Sequence, residues 1–338
     1  MSQPAMAPPL PANVRVFEIA AATVAARALW VAAEYGIADH LDNEPRAVAE
    51  LASATKTHPD TLYRILRLLA TAGVFEEHDG GRFGHTDMSR TLRTDHPTRT
   101  RAAVQMLGSD GMHRALGAMN VSAQTGGTGW EAAMGEPIFD WMAHEPAAAS
   151  MFNDAMIGIH GGEPPAVAAA YPFAGTVVDV GGGSGNMIVN VLRQHPEARG
   201  VTYDMPHVVA EAQRRFEAEG LTGRARVEGG SFFDGVPAGG DLYILSHIIH
   251  DWDEARCLRI LEHCRTAKAP GGKVLIVEMV VTPPNVPHPA KMLDLVMLTV
   301  PGGRERTPDE YRELLAKAGL RLTRIIPTAS PVSVIEAE

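Results

Sequence analysis

A doubly wound α/β domain behind a helical, winged-helix-like N-terminal region is the fold class that the sequence predicts, and three observations carry the prediction. From about residue 171 onward, short runs rich in Val, Ile and Leu alternate with amphipathic helical stretches, which is the grammar of a mainly parallel sheet covered on both faces. Before that, residues 47–85 read as helix, helix and hairpin in that order, the outline of a winged helix. A glycine-rich turn, Gly181-Gly182-Gly183-Ser184-Gly185, follows the first strand of the later region and opens a helix. In open α/β sheets such a turn lies at the edge where ligands bind.

Composition bounds the rest. With 338 residues, 45% apolar and 21% charged, the chain is long enough for about two domains with substantial cores. Forty acidic against thirty basic residues leave a net charge of −10, a poor match for nucleic acid or an anionic membrane. The two cysteines, Cys257 and Cys264, give neither a disulfide framework nor a metal-ligand spacing; no metal is expected, and a reducing cytoplasm is. No uninterrupted apolar run reaches the roughly 18 residues of a membrane span, so none is expected. Residues 1–12, rich in Pro and Ala and lacking the pattern of a signal peptide, are expected to form a disordered tail.

The helical spacing of Val16, Ile19, Ala20, Ala22, Ala26, Leu29, Trp30 and Ala33 predicts helices over 13–42. Apolar residues fall on more than one face, suited to packing on the same domain or on a second subunit. Short helices are expected over 47–54 and after Pro59, the latter with Asp60 as N-cap, Leu62, Ile65, Leu66 and Leu69 inward, and Gly73 as terminator. Strands at 74–77 and 82–85 flank Asp79-Gly80-Gly81, a hairpin signal. Between residues 45 and 101, nine basic residues face seven acidic ones. That near-balance disfavours a DNA-binding regulator and favours a packing or dimerisation domain over 13–101. A helical, Met-rich connector follows over 102–170, with turns at 125–129 and 161–165.

In the region 171–338, strands are expected at 176–180, 200–203, 225–228, 241–246 and 273–278. Helices are expected at 186–195, 207–218, 254–267 and 308–318, with a closing strand pair at 321–327 and 332–336. Nearly every strand ends at a polar or glycine residue: Asp179 with Gly181, Gly183 and Gly185, then Asp204, Ser231, Ser246 with His250, and Glu278. A dinucleotide fingerprint requires glycine where Asn186 stands, and Asp179 just before the turn would repel a pyrophosphate, which argues against a nicotinamide oxidoreductase. Asp179 suits a cationic amino group, and Asp204, 25 residues later, suits a pair of ribose hydroxyls. A nucleoside with an amino-acid tail fits both, as in S-adenosylmethionine. His250-Asp251-Trp252-Asp253-Glu254 opens the next helix, for which Asp251 and Glu254 read as a capping box and Cys257, Leu258, Ile260, Leu261 and Cys264 as the apolar face. The cap does not require a histidine before it. On the residues alone, Glu278 is equally a solvated strand end and Glu305 equally a partner of Arg304 or Arg306.

Four motifs together resemble the caffeate-type (plant-style) small-molecule O-methyltransferases and their bacterial secondary-metabolite relatives: Val178-Asp179-Val180-Gly181-Gly182-Gly183, Tyr203-Asp204-Met205-Pro206, His250-Asp251-Trp252, and Gly302-Gly303-Arg304-Glu305-Arg306-Thr307. The resemblance covers nearly the whole chain. It implies a Rossmann-like methyltransferase sheet, an N-terminal dimerisation domain that completes the partner's substrate pocket, and S-adenosylmethionine converted to S-adenosylhomocysteine. It implies His250 as general base with Glu278 and Glu305 flanking it, and Met205 and Phe232 against the adenosine. Two departures stand out: Gly230-Ser231-Phe232-Phe233 has a neutral Ser231 where the family usually has Asp, and Ser246 stands where many relatives have Lys. Phe139, Trp141, Phe152, Met156 and Met297 are expected to line an acceptor pocket, with Met156 and Met297 on either side of an aromatic acceptor, soft walls that accept varied outlines. The expected reaction is O-methylation of a phenolic or enolic aromatic molecule by a cytoplasmic homodimer. The alternative is a relative that binds the same cofactor for a non-methylating or N-methylating reaction.

Overall fold

The computed structural model describes residues 10–338, so all but the last few residues of the expected 1–12 tail lie outside the described residues. The chain forms two compact units, one of residues up to 110 with 146–159, the other of 111–145 with 160–338. The stretch expected as a separate connector, 102–170, is thus shared between them. Its helices, Thr100–Leu107 to Glu163–Ala170, run 6 to 15 residues, too short to stand without tertiary packing.

In the first unit a long helix, Ala12–Glu34, precedes a small three-stranded sheet of β1 (Arg46–Ala47), β2 (Phe75–His78) and β3 (Arg82–His85) in the order β1-β3-β2. The expected hairpin forms, with Phe75 opposite His85 and His78 opposite Arg82; Gly80 (φ 76°) and Gly81 (φ 67°) supply its left-handed turn. Strand β1, only two residues long, carries no periodicity that a sequence could reveal. Helix Pro59–Thr71 turns Leu62, Leu66 and Leu69 onto Leu51, Phe75 and Phe83. Its N-cap is His58, whose ring accepts from the Thr61 N–H; Asp60, expected as the cap, lies in the first turn. Pro59 decides this, because its locked φ and missing N–H place it at the first helical position.

Helix Ala12–Glu34 departs from expectation more sharply. Only Ala28, Ala32 and Ala33 are buried, while Val16, Phe17, Ile19 and Val24 are 59–78% exposed. The helix is also long and apolar enough to cross a membrane by length and composition, contrary to the expectation of no such segment. Alanine explains the discrepancy: Arg15, Glu18 and Arg27 interrupt every apolar run, but the Ala-rich average stays high.

The second unit is built on a seven-stranded sheet. β4 (Thr176–Val180), β5 (Arg199–Asp204), β6 (Ala225–Gly229), β7 (Leu242–Ser246) and β8 (Lys273–Glu278) are parallel; β9 (Leu322–Pro327) and β10 (Ser333–Ala337) close one edge antiparallel, giving the order β6-β5-β4-β7-β8-β10-β9. Alternate residues of each strand feed separate cores: Val177, Ile244, Leu275 and Val277 on one face, Val178, Val180, Tyr243, Leu245 and Ile276 on the other. The strand order reverses at β4, which pairs with β5 on one side and β7 on the other, so the C-terminal end of β4 faces a topological switch point.

Helix starts account for the remaining differences. Helix Glu254–Ala267 is capped by Asp253, which accepts from the Arg256 N–H; the expected Asp251–Glu254 capping box is absent. Trp252 is extended (φ −118°, ψ 154°), which separates Asp251 from the helix, and Glu254 instead pairs with Lys317 at 2.8 Å. The expected turn at 161–165 becomes the start of helix Glu163–Ala170, with proline in its first turn, and helix Ala290–Thr299 carries Met297.

Candidate active site

The first part of the site is the turn after β4. Gly181 (φ 72°) and Gly183 (φ 53°) adopt conformations that favour glycine, and a side chain at Gly182 would collide with the Asp179 carboxylate. The tight turn aims the Gly183 N–H at Asp204 Oδ2 (2.9 Å), and the Met205 N–H meets Oδ1 (2.7 Å). Asp204, at the end of β5, is thereby fixed with lone pairs to spare on both oxygens. Asp179 is 1% exposed, and its buried Oδ2 has no hydrogen-bond partner. Burial, with help from the Asp204 charge, pushes this carboxyl up to about 7. An orphaned buried carboxylate oxygen lacks a donor, and an ammonium group supplies one. The residues therefore fit an adenosyl amino acid: Asp179 for the amine, the glycine turn for close backbone approach, Asp204 for the ribose. Met205 is 44% exposed. Ser231 Oγ accepts from the Phe233 N–H at 3.2 Å, Phe232 packs edge-on against Phe233, and Ser246 ends β7, half-buried.

The second part is a short 3₁₀ turn, Ile249–Asp251, after β7. It presents His250, 5% exposed. His250 Nδ1 lies 2.6 Å from Glu305 Oε1, and Nε2 lies 3.6 Å from Asp251 Oδ1. Glu278, at the end of β8, accepts from the His250 backbone N–H (2.9 Å) and from the Tyr311 hydroxyl (2.5 Å). Of the two carboxylates expected to flank the imidazole, Glu305 therefore holds the ring and Glu278 holds the backbone beneath it. The loop 302–306 clamps the same turn. The Arg304 N–H donates to His250 O (2.8 Å), Arg306 Nη1 to Ile249 O (3.2 Å), and a Cβ at Gly303 would collide with His250 O.

The electrostatics follow from burial. Desolvation lowers the His250 imidazole and raises Glu278. Glu305 is raised to about 8 by burial and by the nearby charge of Asp294. Asp251, raised well above the carboxylate range by burial and by Glu278 and Glu305, joins the cluster it was not expected to enter. The only sequence signal for Asp251 was its place in the His-Asp-Trp motif. Tyr311 and the histidine–glutamate group His160, Glu163 and His247 were missed as well, since nothing local brings residues 84 apart together.

The expected pocket residues have separate settings. Phe139 stacks on Trp252 at 5.1 Å, beside a cavity of about 530 Å³ that both help to line. Trp141 packs edge-on against Trp130 at 5.4 Å, and Met297 is buried. Phe152 and Met156, half-buried on helix Pro146–His160, belong to the first unit.

A parallel sheet with a glycine turn and a carboxylate fixed by backbone N–H groups at its switch point, beside a buried imidazole–carboxylate pair, fits an S-adenosylmethionine-dependent methyltransferase. Comparison with known proteins agrees. The O-methyltransferase domain model matches residues 115–321 and the O-methyltransferase dimerisation domain model residues 17–95. The chain is 41% identical to phenazine O-methyltransferase PhzM of Lysobacter antibioticus over 313 residues, 92% of each chain. It is 36% identical to the mitomycin biosynthesis 6-O-methyltransferase of Streptomyces lavendulae, covering 92% of this chain and 90% of that one. The crystal structure of CalO1, a methyltransferase in calicheamicin biosynthesis bound to S-adenosylhomocysteine, superposes with a TM-score of 0.85 at 35% identity, covering 96% and 97% of the two chains. The chain belongs to this O-methyltransferase family: it is an S-adenosylmethionine-dependent O-methyltransferase with a dimerisation domain.

Proposed function

We propose that the enzyme methylates a phenolic or enolic hydroxyl of an aromatic small molecule in secondary metabolism, as a cytoplasmic homodimer joined through residues 13–101. Residues 171–338 would form the cofactor-binding catalytic domain, and the helical stretch 102–170 would contribute to the acceptor site. The observation that carries the reading is the buried His250–Glu305 pair, 2.6 Å apart, on the same sheet edge as the glycine turn.

When bound, S-adenosylmethionine supplies an activated methyl group; this chain's residues supply an anionic oxygen and its alignment. A phenol with a pKa near 10 is about one part in 10³ ionised at pH 7. Glu305, accepting the Nδ1–H, leaves the Nε2 lone pair of His250 bare for the acceptor's proton, a role typically worth about 10²–10⁴ in rate. Glu278, through the backbone N–H, and the loop 302–306 keep the turn from yielding as charge appears on the ring. Asp179, Gly181, Gly183, Gly185, Asp204, Met205, Ser231, Phe232 and Ser246 are assigned to the cofactor. Phe139, Trp141, Phe152, Met156 and Met297 are assigned to the acceptor, whose aromatic character fits a wall of rings and thioethers. A neutral amine is already a nucleophile and needs no base, so the buried dyad favours oxygen over nitrogen.

The test is incubation with a panel of hydroxylated aromatic compounds and S-adenosylmethionine, with mass detection of an added methyl group, for the wild type and His250→Ala. Methylation lost at least a hundredfold in the variant, with S-adenosylhomocysteine affinity retained, supports the reading. Equal turnover by the variant removes His250 from it.

A further inference from the structure

Helix Glu163–Ala170 begins with a buried carboxylate that the scheme above leaves unused. Glu163 is 5% exposed, and two imidazoles converge on it: His247 Nε2 at 2.6 Å and His160 Nδ1 at 3.2 Å from each oxygen. The His160 and His247 rings lie 3.8 Å apart between centroids, and the His247 ring lies 5.1 Å from that of His250. Burial alone would raise Glu163, but the hydrogen bonds from both histidines override it and hold the carboxyl at about 2. With Glu163 ionised, His247 donates from Nε2, and its buried Nδ1 has no partner. Burial and the neighbouring His160 lower His247 to about 4, so this ring is neutral at physiological pH. The His247 backbone sits in the left-handed region (φ 54°), a conformation that costs a residue with a β-carbon on the order of 1 kcal/mol. Asparagine also occupies this region readily, so the backbone alone does not call for an imidazole here.

We propose that Glu163, acting through the His247 ring it clamps, is a positioning residue for methyl transfer: it fixes a negative charge one imidazole away from His250 and so favours the protonated base that forms as the acceptor gives up its proton. The proposal rests on His250 as the base. The charged and titratable groups facing His250 are Glu305 at Nδ1, Asp251 near Nε2, Glu278 at the backbone N–H, Arg306 on the neighbouring Ile249 carbonyl, and the His160–Glu163 pair beyond His247. Burial most of all disfavours charge on the ring; Glu278 and Glu163 favour it, while His160 and Arg306 oppose it. Glu163 thus works with Glu278 against the burial that disfavours the imidazolium.

Glu163→Gln keeps an acceptor for His247 and removes the charge. Its expected effects are a kcat about tenfold lower, a KM for S-adenosylmethionine within about twofold, and an acid limb of kcat/KM shifted about one pH unit downward, since the base loses a group that favours its protonation. His247→Asn suits the backbone and removes the ring along with one partner of Glu163; we expect it to melt lower than wild type yet, assayed below its own melting transition, to lose kcat similarly, which keeps the test in hand if Glu163→Gln folds poorly. A purely structural role predicts the reverse, with His247→Asn retaining wild-type kcat and pH profile. That outcome overturns the proposal, as does stoichiometric zinc uptake by the wild type that His247→Asn abolishes, because the three groups would then serve a metal. Run in parallel, His250→Ala separates the failures. Collapse of that variant with an unchanged Glu163→Gln sinks only the present inference, whereas normal turnover by His250→Ala sinks the base assignment first.

Discussion

Replacing Glu305 by glutamine removes one charge from a 2.6 Å contact while keeping the shape of the side chain and an oxygen able to accept the Nδ1–H. The loss is then mainly the Coulombic stabilisation of the imidazolium that forms as His250 takes the acceptor's proton. At a separation near 4 Å and an effective dielectric of about 20, that attraction is about 4 kcal/mol, or roughly three decades in rate. The full loss is expected only where Glu305 is ionised in the wild type. Because its carboxyl is raised to about 8, wild-type activity should climb as pH rises through 8. The variant should lack that climb, so the deficit in kcat should be about 10³ at pH 9. It should shrink to about 10² at pH 7, where about one carboxyl in ten is ionised. Steady-state methyl transfer at saturating cofactor across pH 6–10, with S-adenosylhomocysteine affinity measured by calorimetry, reads both quantities. A variant within threefold of wild type at pH 9, or one that retains the climb near 8, would refute the reasoning.

Gly303→Ala places a methyl group on the His250 carbonyl; we expect a loss of about 1–3 kcal/mol in stability, as overpacking commonly costs, with reduced kcat and unchanged cofactor affinity by calorimetry. Phe17→Asp on the exposed face of helix Ala12–Glu34, where Phe17 is 72% exposed, should weaken self-association at least about tenfold by analytical ultracentrifugation, since a buried Phe contributes about 1.5–3 kcal/mol. Acid unfolding should steepen below pH 4.5: Glu163 and Glu336, ordinarily at 4.5, are held at about 2. A depressed carboxylate contributes stability above its unfolded value and loses it as pH falls toward the folded one. A flat melting temperature between pH 4.5 and 2 would contradict that linkage.

The chain announces the sheet because its strands are buried on both faces and so read as unbroken runs such as Val177-Val178 and Leu242-Tyr243-Ile244-Leu245. It announces the cofactor turn because glycine at Gly181 and Gly183 answers a backbone demand that few other residues meet. The base cluster is legible only in part. His250, Glu278 and Glu305 each end a strand or sit in a distinctive motif, yet which carboxylate touches the ring and which the backbone depends on how the loop 302–306 folds over the 249–251 turn. Asp251 was misassigned because local capping rules are blind to Trp252, whose extended backbone leaves the cap to Asp253 while the helix starts at Glu254 as expected. Glu163 gave no signal at all: its partner His247 lies 84 residues away, and a glutamate at a helix start is already explained by the helix dipole. The exposed face of helix Ala12–Glu34 was the converse case, with a pattern read as burial on more than one side that the chain by itself leaves open.

The same contrast shows how the enzyme can keep one chemistry while its relatives' names attach to different acceptors. Every group assigned to proton removal is fixed to the sheet or to something clamped on it: His250 by Glu278 and by the Arg304 N–H, Glu305 by its backbone N–H on Asp294 Oδ1 at 2.9 Å, and Glu278 by Tyr311. A base held on both its ring and its backbone has little freedom to follow a badly placed hydroxyl, so the acceptor must be brought to it. Bringing it there is the role we propose for residues on helices outside the sheet, Phe139, Trp141, Phe152 and Met156 among them. Exchanging those side chains, with the sheet edge untouched, should therefore change which aromatic molecule is methylated before it changes how fast a well-placed hydroxyl reacts.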